Sequence, residues 1–564
     1  MTIKFGEKNY ITDNDLKVNI LGFWPGADIK NEKLKEFFEK NYRRSFLGGD
    51  ELVAYAQSLV SHGMEFSKLE EEILGDIENP ENKDFRNILF SKTATGIGSG
   101  HSLGGLSGVV LGIHGTKMVD SALTGLCASR SLVTSSRRRE TTAGEIAIPE
   151  KLGKNSDLLK EYMQISENVL NLSNEFKEKF GKLGGVETFN KVIPYNNPAD
   201  LFIVLPLDTL STIVSEVRKD ESVVNGVRFV PREIYTLVKE HLESIEENKG
   251  QNVMFKQRIE VPRDTYLHYT VFKSPFYPNY ALEEGELRGM PLEPVVIDIF
   301  KDITPGFRRG LERLSEIFNT AKRETNPEQL AKFAKLATYE LRVFTNEYNE
   351  AVRVKIADSL SWRVWSEQKR HSTLRQNVES VYSAAERASD AMKKFWSFIE
   401  KANETQNLEE LAPVLGEIEK SIILDDRLKR QKELIIPYLY HTGKQLEFYR
   451  KLKNKNFELR DCLYIVPKNI RVRTLENYDL INLINLEFPL RLCGKCEPER
   501  QVTSWKKREK LIEVVPEIAG FLQPKCNVGY CTERTICKYM KDVREDYNED
   551  LHKAVKEAVL NKSR

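Results

Sequence analysis

Residues 99–140 read SGHSLGGLSGVVLGIHGTKMVDSALTGLCASRSLVTSSRRRE. A Gly/Ser-rich turn leads into the apolar run VVLGI, then into TKMVDSALTGLCASR with its helix-like spacing. The stretch ends in a basic knot, SSRRRE at 135–140. The glycines tempt a nucleotide reading, but G-x-G-x-x-G fails: counted from Gly96 and Gly98, its last glycine falls on His101. A Gly-Lys-Ser/Thr phosphate loop is also absent here. A tight approach to a buried element explains these glycines equally well.

Outward from this stretch, the order repeats. Residues 17–29 begin like a strand followed by a turn, helical patterns dominate 31–90, and 155–183 reads as a long amphipathic helix. An apolar stretch closes on Leu205-Pro206. FKSPFYPNYALEEGELRGMPLEP at 272–294 is rich in Pro and Gly and lacks period, which places a boundary there, with domains 1–275 and 276–564. Beyond it, helices are expected over 305–400 around a second basic knot, KRHSTLR at 369–375, and the apolar CLYIVP at 462–467 again ends in Pro.

The 564 residues call for at least two domains, and 40% hydrophobic content supplies real cores. With 85 basic against 84 acidic residues, the net charge of +1 gives no global reason to expect nucleic acid or an anionic membrane as partner. No apolar run reaches membrane-spanning length, and MTIKFGEKNYITDND has no signal-peptide core, so a cytoplasmic protein is expected. Of seven cysteines, five lie near the C-terminal end: Cys493, Cys496, Cys526, Cys531 and Cys537. Cys493-x-x-Cys496 is a metal-knuckle spacing, whereas Cys526-x4-Cys531-x5-Cys537 is not a standard second knuckle. Structural zinc, an iron–sulfur cluster, and free or disulfide-bonded cysteines all stay open.

Gly100-His101-Ser102-Leu103 followed by VVLGIHGTKMVDSAL resembles the flavin-dependent thymidylate synthase pattern, in which a His-containing turn precedes a strand and a helix that runs into the signature loop. That signature is Arg-His-Arg, two residues, Ser, four residues, Ser, one residue, Arg. Read without a gap, Ser135-Ser136-Arg137-Arg138 falls on the final Ser-x-Arg-aromatic, and Gly125-Leu126-Cys127 falls where Arg-His-Arg belongs. A rival register sets Arg137-Arg138-Arg139 on the Arg-His-Arg, at the cost of an insertion. In the second half, Arg370-His371-Ser372 resembles the Arg-His-Arg itself, with Ser380 on the final Ser and Tyr382 replacing the final Arg. In Leu490-Arg491-Leu492-Cys493-Gly494-Lys495-Cys496-Glu497-Pro498-Glu499, Arg491 and Glu499 match the family's Leu-Arg and Ala-Gln-x-Glu, with a fainter counterpart at Pro231-Arg232-Glu233.

The resemblance implies a helix-rich α+β fold in two tandem copies forming a pseudo-dimer, with a homodimer as the pseudo-tetramer. It implies FAD as cofactor and NADPH as reductant. Deoxyuridine monophosphate would be the substrate and methylenetetrahydrofolate the carbon donor. It assigns flavin to His101, Arg370 and His371, nucleotide to Ser135, Arg137, Arg138, Arg491 and Glu499, and catalytic roles to Ser135 and Ser380. An arginine fork suits an oxyanion, and a cationic cluster beside the isoalloxazine favours reduced, anionic flavin. Because the first copy keeps Ser-x-Arg and the second keeps Arg-His, one composite site is expected in place of two equal ones. The alternative is a catalytically retired member serving as a binding or assembly module. For the basic knots alone, the plain alternatives are a solvated turn and a helix C-terminus favoured by its dipole.

Overall fold

The computed structural model describes residues 2–5, 8–12, 17–24, 65–78, 108–116, 130–133, 146–180, 190–196, 198–206, 289–368 and 373–561, with the isolated positions 32–33, 36 and 282. The chain divides into two compact units. Unit 1 comprises Met1–Lys182, Val192–Tyr277 and Tyr440–Pro467; unit 2 comprises Leu183–Lys191, Pro278–Leu439 and Lys468–Arg564. Helices and antiparallel sheets in both give an α+β architecture.

Unit 1 holds strands β1 (Thr2–Phe5), β2 (Lys8–Thr12), β3 (Lys17–Trp24), β4 (Gly108–Thr116), β5 (Arg130–Val133), β6 (Ile146–Ile148) and β7 (Pro198–Pro206). β1, β2 and β6 form a three-stranded sheet; β3-β4-β7-β5 form a four-stranded antiparallel one. The strand expected after residue 17 and the apolar run VVLGI are thus β3 and β4. The expected amphipathic helix is α1 (Ser156–Phe180). It buries Leu159, Tyr162, Met163, Val169, Leu172 and Phe176 along one face. Its Tyr162 hydroxyl donates to Ala147 O (2.8 Å) and accepts from Asn196 Nδ2 (3.0 Å), which satisfies a buried polar group.

Unit 2 holds β8 (Val295–Lys301), β9 (Val352–Ser361), β10 (Arg375–Val378) and β11 (Arg471–Asp479), ordered β8-β9-β11-β10 and antiparallel throughout. Helices α2 (Pro305–Arg323) and α3 (Pro327–Glu347) start cleanly because Thr304 and Asn326 accept from first-turn amides, with Pro305 and Pro327 as the first helical residues. Phe307, Leu311, Leu314 and Phe318 of α2 meet Leu341 and Phe344 of α3 and Val352, Val354 and Ile356 of β9 in the core. Gly310 admits this approach: a Cβ there would lie 2.5 Å from the Phe344 ring. The near-continuous helices expected over 305–400 are interrupted by β9 and β10. VRVKI alternates apolar and polar residues at the period of a strand, and burial at Val352, Val354 and Ile356 selects that period over a helical one. The apolar CLYIVP, which belongs to unit 1, forms a short helical turn.

The two four-stranded sheets have the same strand order, and their registers agree pair by pair. Gly108 faces Pro206 in the first; 245 and 273 positions on, Arg353 faces Asp479 in the second. Arg130 faces Val204, and the same two shifts give Arg375 facing Asn477. The β-bulge coincides as well, at Ile20/Gly22 against Leu111/Val110 and at Val296/Asp298 against Ile356/Lys355. A one-residue slip would exchange the two faces of a sheet, so agreement across all three pairings and a bulge is a stringent match.

Candidate active site

In unit 2, α8 (Pro498–Val514) carries the site's charges onto the sheet. Glu497 caps it: the Glu497 side chain accepts from Arg500 N (2.9 Å) ahead of Pro498. Before it in the chain lie α4 (Trp362–Gln368), α5 (Val381–Thr405), α6 (Lys432–Asn454) and α7 (Glu487–Arg491). Glu499, Arg500, Ser504 and Lys507 are the buried polar face of α8.

Two ion clusters lie on this face. In the first, Lys191 Nζ sits 2.6 Å from Glu499 Oε2, 2.8 Å from Asp425 Oδ2 and 3.3 Å from Glu497 Oε1. Glu499 also accepts from the Ser361 amide (2.6 Å) and hydroxyl (2.8 Å). Burial works against the Lys191 charge, but Asp425, Glu497 and Glu499 outweigh it and hold its pKa well above the ordinary value. Burial pushes Glu497 upward, partly offset by Lys191. In the second cluster Lys507 pairs with Asp358 (2.8 Å) and Glu476, and Arg500 pairs with Glu476 (3.1 Å). Burial opposes the Glu476 charge, yet Arg500 and Lys507 bring its pKa down to about 2. Such ions persist in a core only when paired.

Beside them opens a cleft of about 400 Å³, lined among others by Asp358, Ser359, Asp425, Arg471 and Glu499, with Arg427, Lys429, Arg430 and Lys506 also contributing. Arg471 is fixed there, donating to Ser359 Oγ (2.8 Å) and to Glu419 O (2.7 Å). Several acids are already engaged: Glu419 by Lys429, Glu293 by Lys506, Asp425 by Lys191. Arg430, exposed, makes no ion pair among the described residues. The cleft therefore offers a fixed guanidinium and an uncommitted one to an anion. A second cavity, about 700 Å³, is lined by Asp298, Phe300, Arg353, Lys355, Thr373, Arg375 and Tyr478 among others, with the Arg353 guanidinium 5.2 Å from the Phe300 ring centre.

The residues singled out in the sequence fall in different places. Glu499 lines the cleft. Arg491 is buried, donates from Nε to Glu487 Oε1 at 2.6 Å, and is not among the cleft's lining residues. Ser380 is the buried N-cap of α5, accepting from Tyr382 N at 3.3 Å. His101, Ser135, Arg137, Arg138, Arg370 and His371 lie outside the described residues. Cys493, Cys526, Cys531 and Cys537 line one cavity of about 20 Å³, whereas Cys496 lies against Arg491. Among the described residues no group of three or more Cys, His, Asp or Glu is arranged to hold a metal ion. Burial, reinforced by the other three thiols, pushes Cys526 up to about 12. Sequence reasoning missed Lys191, Asp358, Asp425, Arg471 and Glu476. A signal was available for two of them: RVRTLENYD carries charges through a strand that is buried along most of its length.

No protein-family profile matches the chain. Over 178 residues, 32% of its length, it is 26% identical to the flavin-dependent thymidylate synthase of Sulfurisphaera tokodaii. Over 148 residues it is 25% identical to that of Saccharolobus solfataricus. The chain spans 65% and 55% of the lengths of these two relatives. No helix among the described residues is long and apolar enough to cross a membrane.

Proposed function

We propose, from the premise that this chain is a divergent member of the flavin-dependent thymidylate synthase family, that it converts deoxyuridine monophosphate to thymidylate, with the unit 2 cleft as its nucleotide site. Methylenetetrahydrofolate would supply the carbon and NADPH the reducing equivalents. One observation carries the proposal: Glu499, the acid that matches the family's terminal motif, lines a cleft that also presents Arg471 and Arg430. Arginine forks suit a phosphate monoester, and fixed donors stabilise charge without reorganising during a reaction.

The larger cavity fits a flavin dinucleotide by its donor set. Arg353, Lys355 and Arg375 would face a diphosphate, beside the acids Asp298, Glu350 and Asp479, with Arg353 leaving Glu350 to do so, and Phe300 offers an aromatic face. Bound flavin would supply the reduction that turns the transferred carbon into a methyl group. Arg370 and His371, five and four residues before Arg375, are proposed to grip its ring, and Ser135 and Arg137 to grip the nucleotide.

The coincident registers of the two sheets support a tandem duplication. At the shift of 245 that relates β4 to β9 and β5 to β10, Ser135 corresponds to Ser380 and Gly125-Leu126 to Arg370-His371, the same correspondence read from the motifs. A homodimer would then reproduce a four-domain assembly. The four thiols around one cavity are the support for proposing a structural zinc held by Cys493, Cys526, Cys531 and Cys537.

Purified protein incubated with deoxyuridine monophosphate, methylenetetrahydrofolate and NADPH should form thymidylate and be yellow. A colourless preparation that takes up no FAD and makes no thymidylate points instead to a retired binding module.

A further inference from the structure

The matched registers permit a comparison that neither sheet allows alone. Most strand positions of the second sheet have a counterpart in the first, so the polar strand residues of the cleft, and Glu476 of the ion cluster beside it, can be traced across. Asp358 corresponds to Ile113, Ser359 to His114, Arg471 to Pro198 and Glu476 to Ile203. One buried aliphatic position is kept: Ile356, fully buried, corresponds to Leu111, also fully buried. The aliphatic position is matched while these charged positions are apolar in the first sheet.

Two of these replacements remove anchors. Asp358 and Glu476 are the carboxylates that hold Arg500 and Lys507 of α8 against the sheet. Isoleucine at both positions cannot compensate a buried guanidinium and ammonium, and an unpaired buried charge costs several kcal/mol. Proline at the Arg471 position offers no cation. The first sheet therefore lacks the residues that build the cleft.

We infer that the chain carries one nucleoside-monophosphate site, built on the sheet of the second repeat, and that the first repeat's sheet, with Ile113, Pro198 and Ile203 at the positions of Asp358, Arg471 and Glu476, carries none. This rests on the nucleotide reading above and adds its stoichiometry and its location. Arg430, exposed, and Lys506, half-buried and paired with Glu293, flank the cleft and attract the phosphate; Arg471 fixes it from the floor.

Equilibrium binding of deoxyuridine monophosphate to the full-length chain tests this. One nucleotide per chain is expected. Arg430→Ala combined with Lys506→Ala should weaken binding at least tenfold while leaving the thermal unfolding midpoint essentially unchanged, since Arg430 is exposed and the Lys506–Glu293 pair lies at the surface. His114→Ala, at the first-sheet counterpart of Ser359, should leave affinity and stoichiometry unchanged. Two nucleotides per chain, or weakening by His114→Ala matching that of the double variant, would overturn the inference and leave the nucleotide reading intact. Absence of any binding would remove both.

Discussion

Lys191 Nζ lies 2.6 Å from Glu499 Oε2, and both side chains are almost wholly withdrawn from solvent. The lysine comes from a short segment, Leu183–Lys191, that belongs to unit 2 although the residues on either side of it are assigned to unit 1. One buried ammonium thus ties this segment to the cap of α8 and to Asp425, which in turn caps a short helix by accepting from Arg427 N and Leu428 N.

Removing one partner should expose the dependence. Glu499→Gln keeps the shape but strips a charge from Lys191 and an acceptor from Ser361. A loss of about 3 kcal/mol is expected, near the low end for breaking a buried pair because Asp425 and Glu497 persist. Urea unfolding measures it; an unchanged midpoint would show the pair to be dispensable.

Acid should unfold unit 2 through Glu476. Its folded pKa, about 2, is below the ordinary 4.5, so its contribution is complete above pH 4.5 and is lost as pH falls toward 2. The shift corresponds to about 3 kcal/mol. Glu476→Gln should lower stability at neutral pH and flatten the acid limb of the stability curve; an equally steep limb would place the titration elsewhere.

Flavin content should follow the cations of the larger cavity. Arg353→Ala and Arg375→Ala each remove one diphosphate partner, and Arg370→Ala the proposed ring contact. Each is expected to reduce the protein-bound flavin absorbance at least severalfold, with Arg137→Ala affecting nucleotide binding alone. Wild-type flavin content in all three flavin variants would assign the cofactor to another surface.

The thiols should separate four to one. Elemental analysis is expected to find one zinc per chain, retained in Cys496→Ser and lost in Cys526→Ser or Cys531→Ser. Because burial holds Cys526 near 12, metal-free protein should react slowly with alkylating reagents at neutral pH and faster as pH rises. Zinc absent from wild type, or lost equally on Cys496→Ser, counts against the four-thiol site.

The sequence by itself determined the family resemblance, the long helix at Ser156–Phe180 and the strand after residue 17, and it singled out Glu499, which lines the cleft. Each was legible because it rests on local period or on a spaced motif. It also suggested a repeated order of elements, but helix-rich chains are easily self-similar. Only strand pairing shows that the two four-stranded sheets share strand order and register, because hydrogen-bond register relates positions far apart in the chain. Tertiary structure alone decided that Ser380 caps a helix, that Arg491 is held by Glu487, and that Lys191 joins acids more than 230 positions away. The reason is electrostatic: a buried charge is stable only beside its opposite, and which charges are buried together is fixed by packing, a property of the folded chain that no local spacing records.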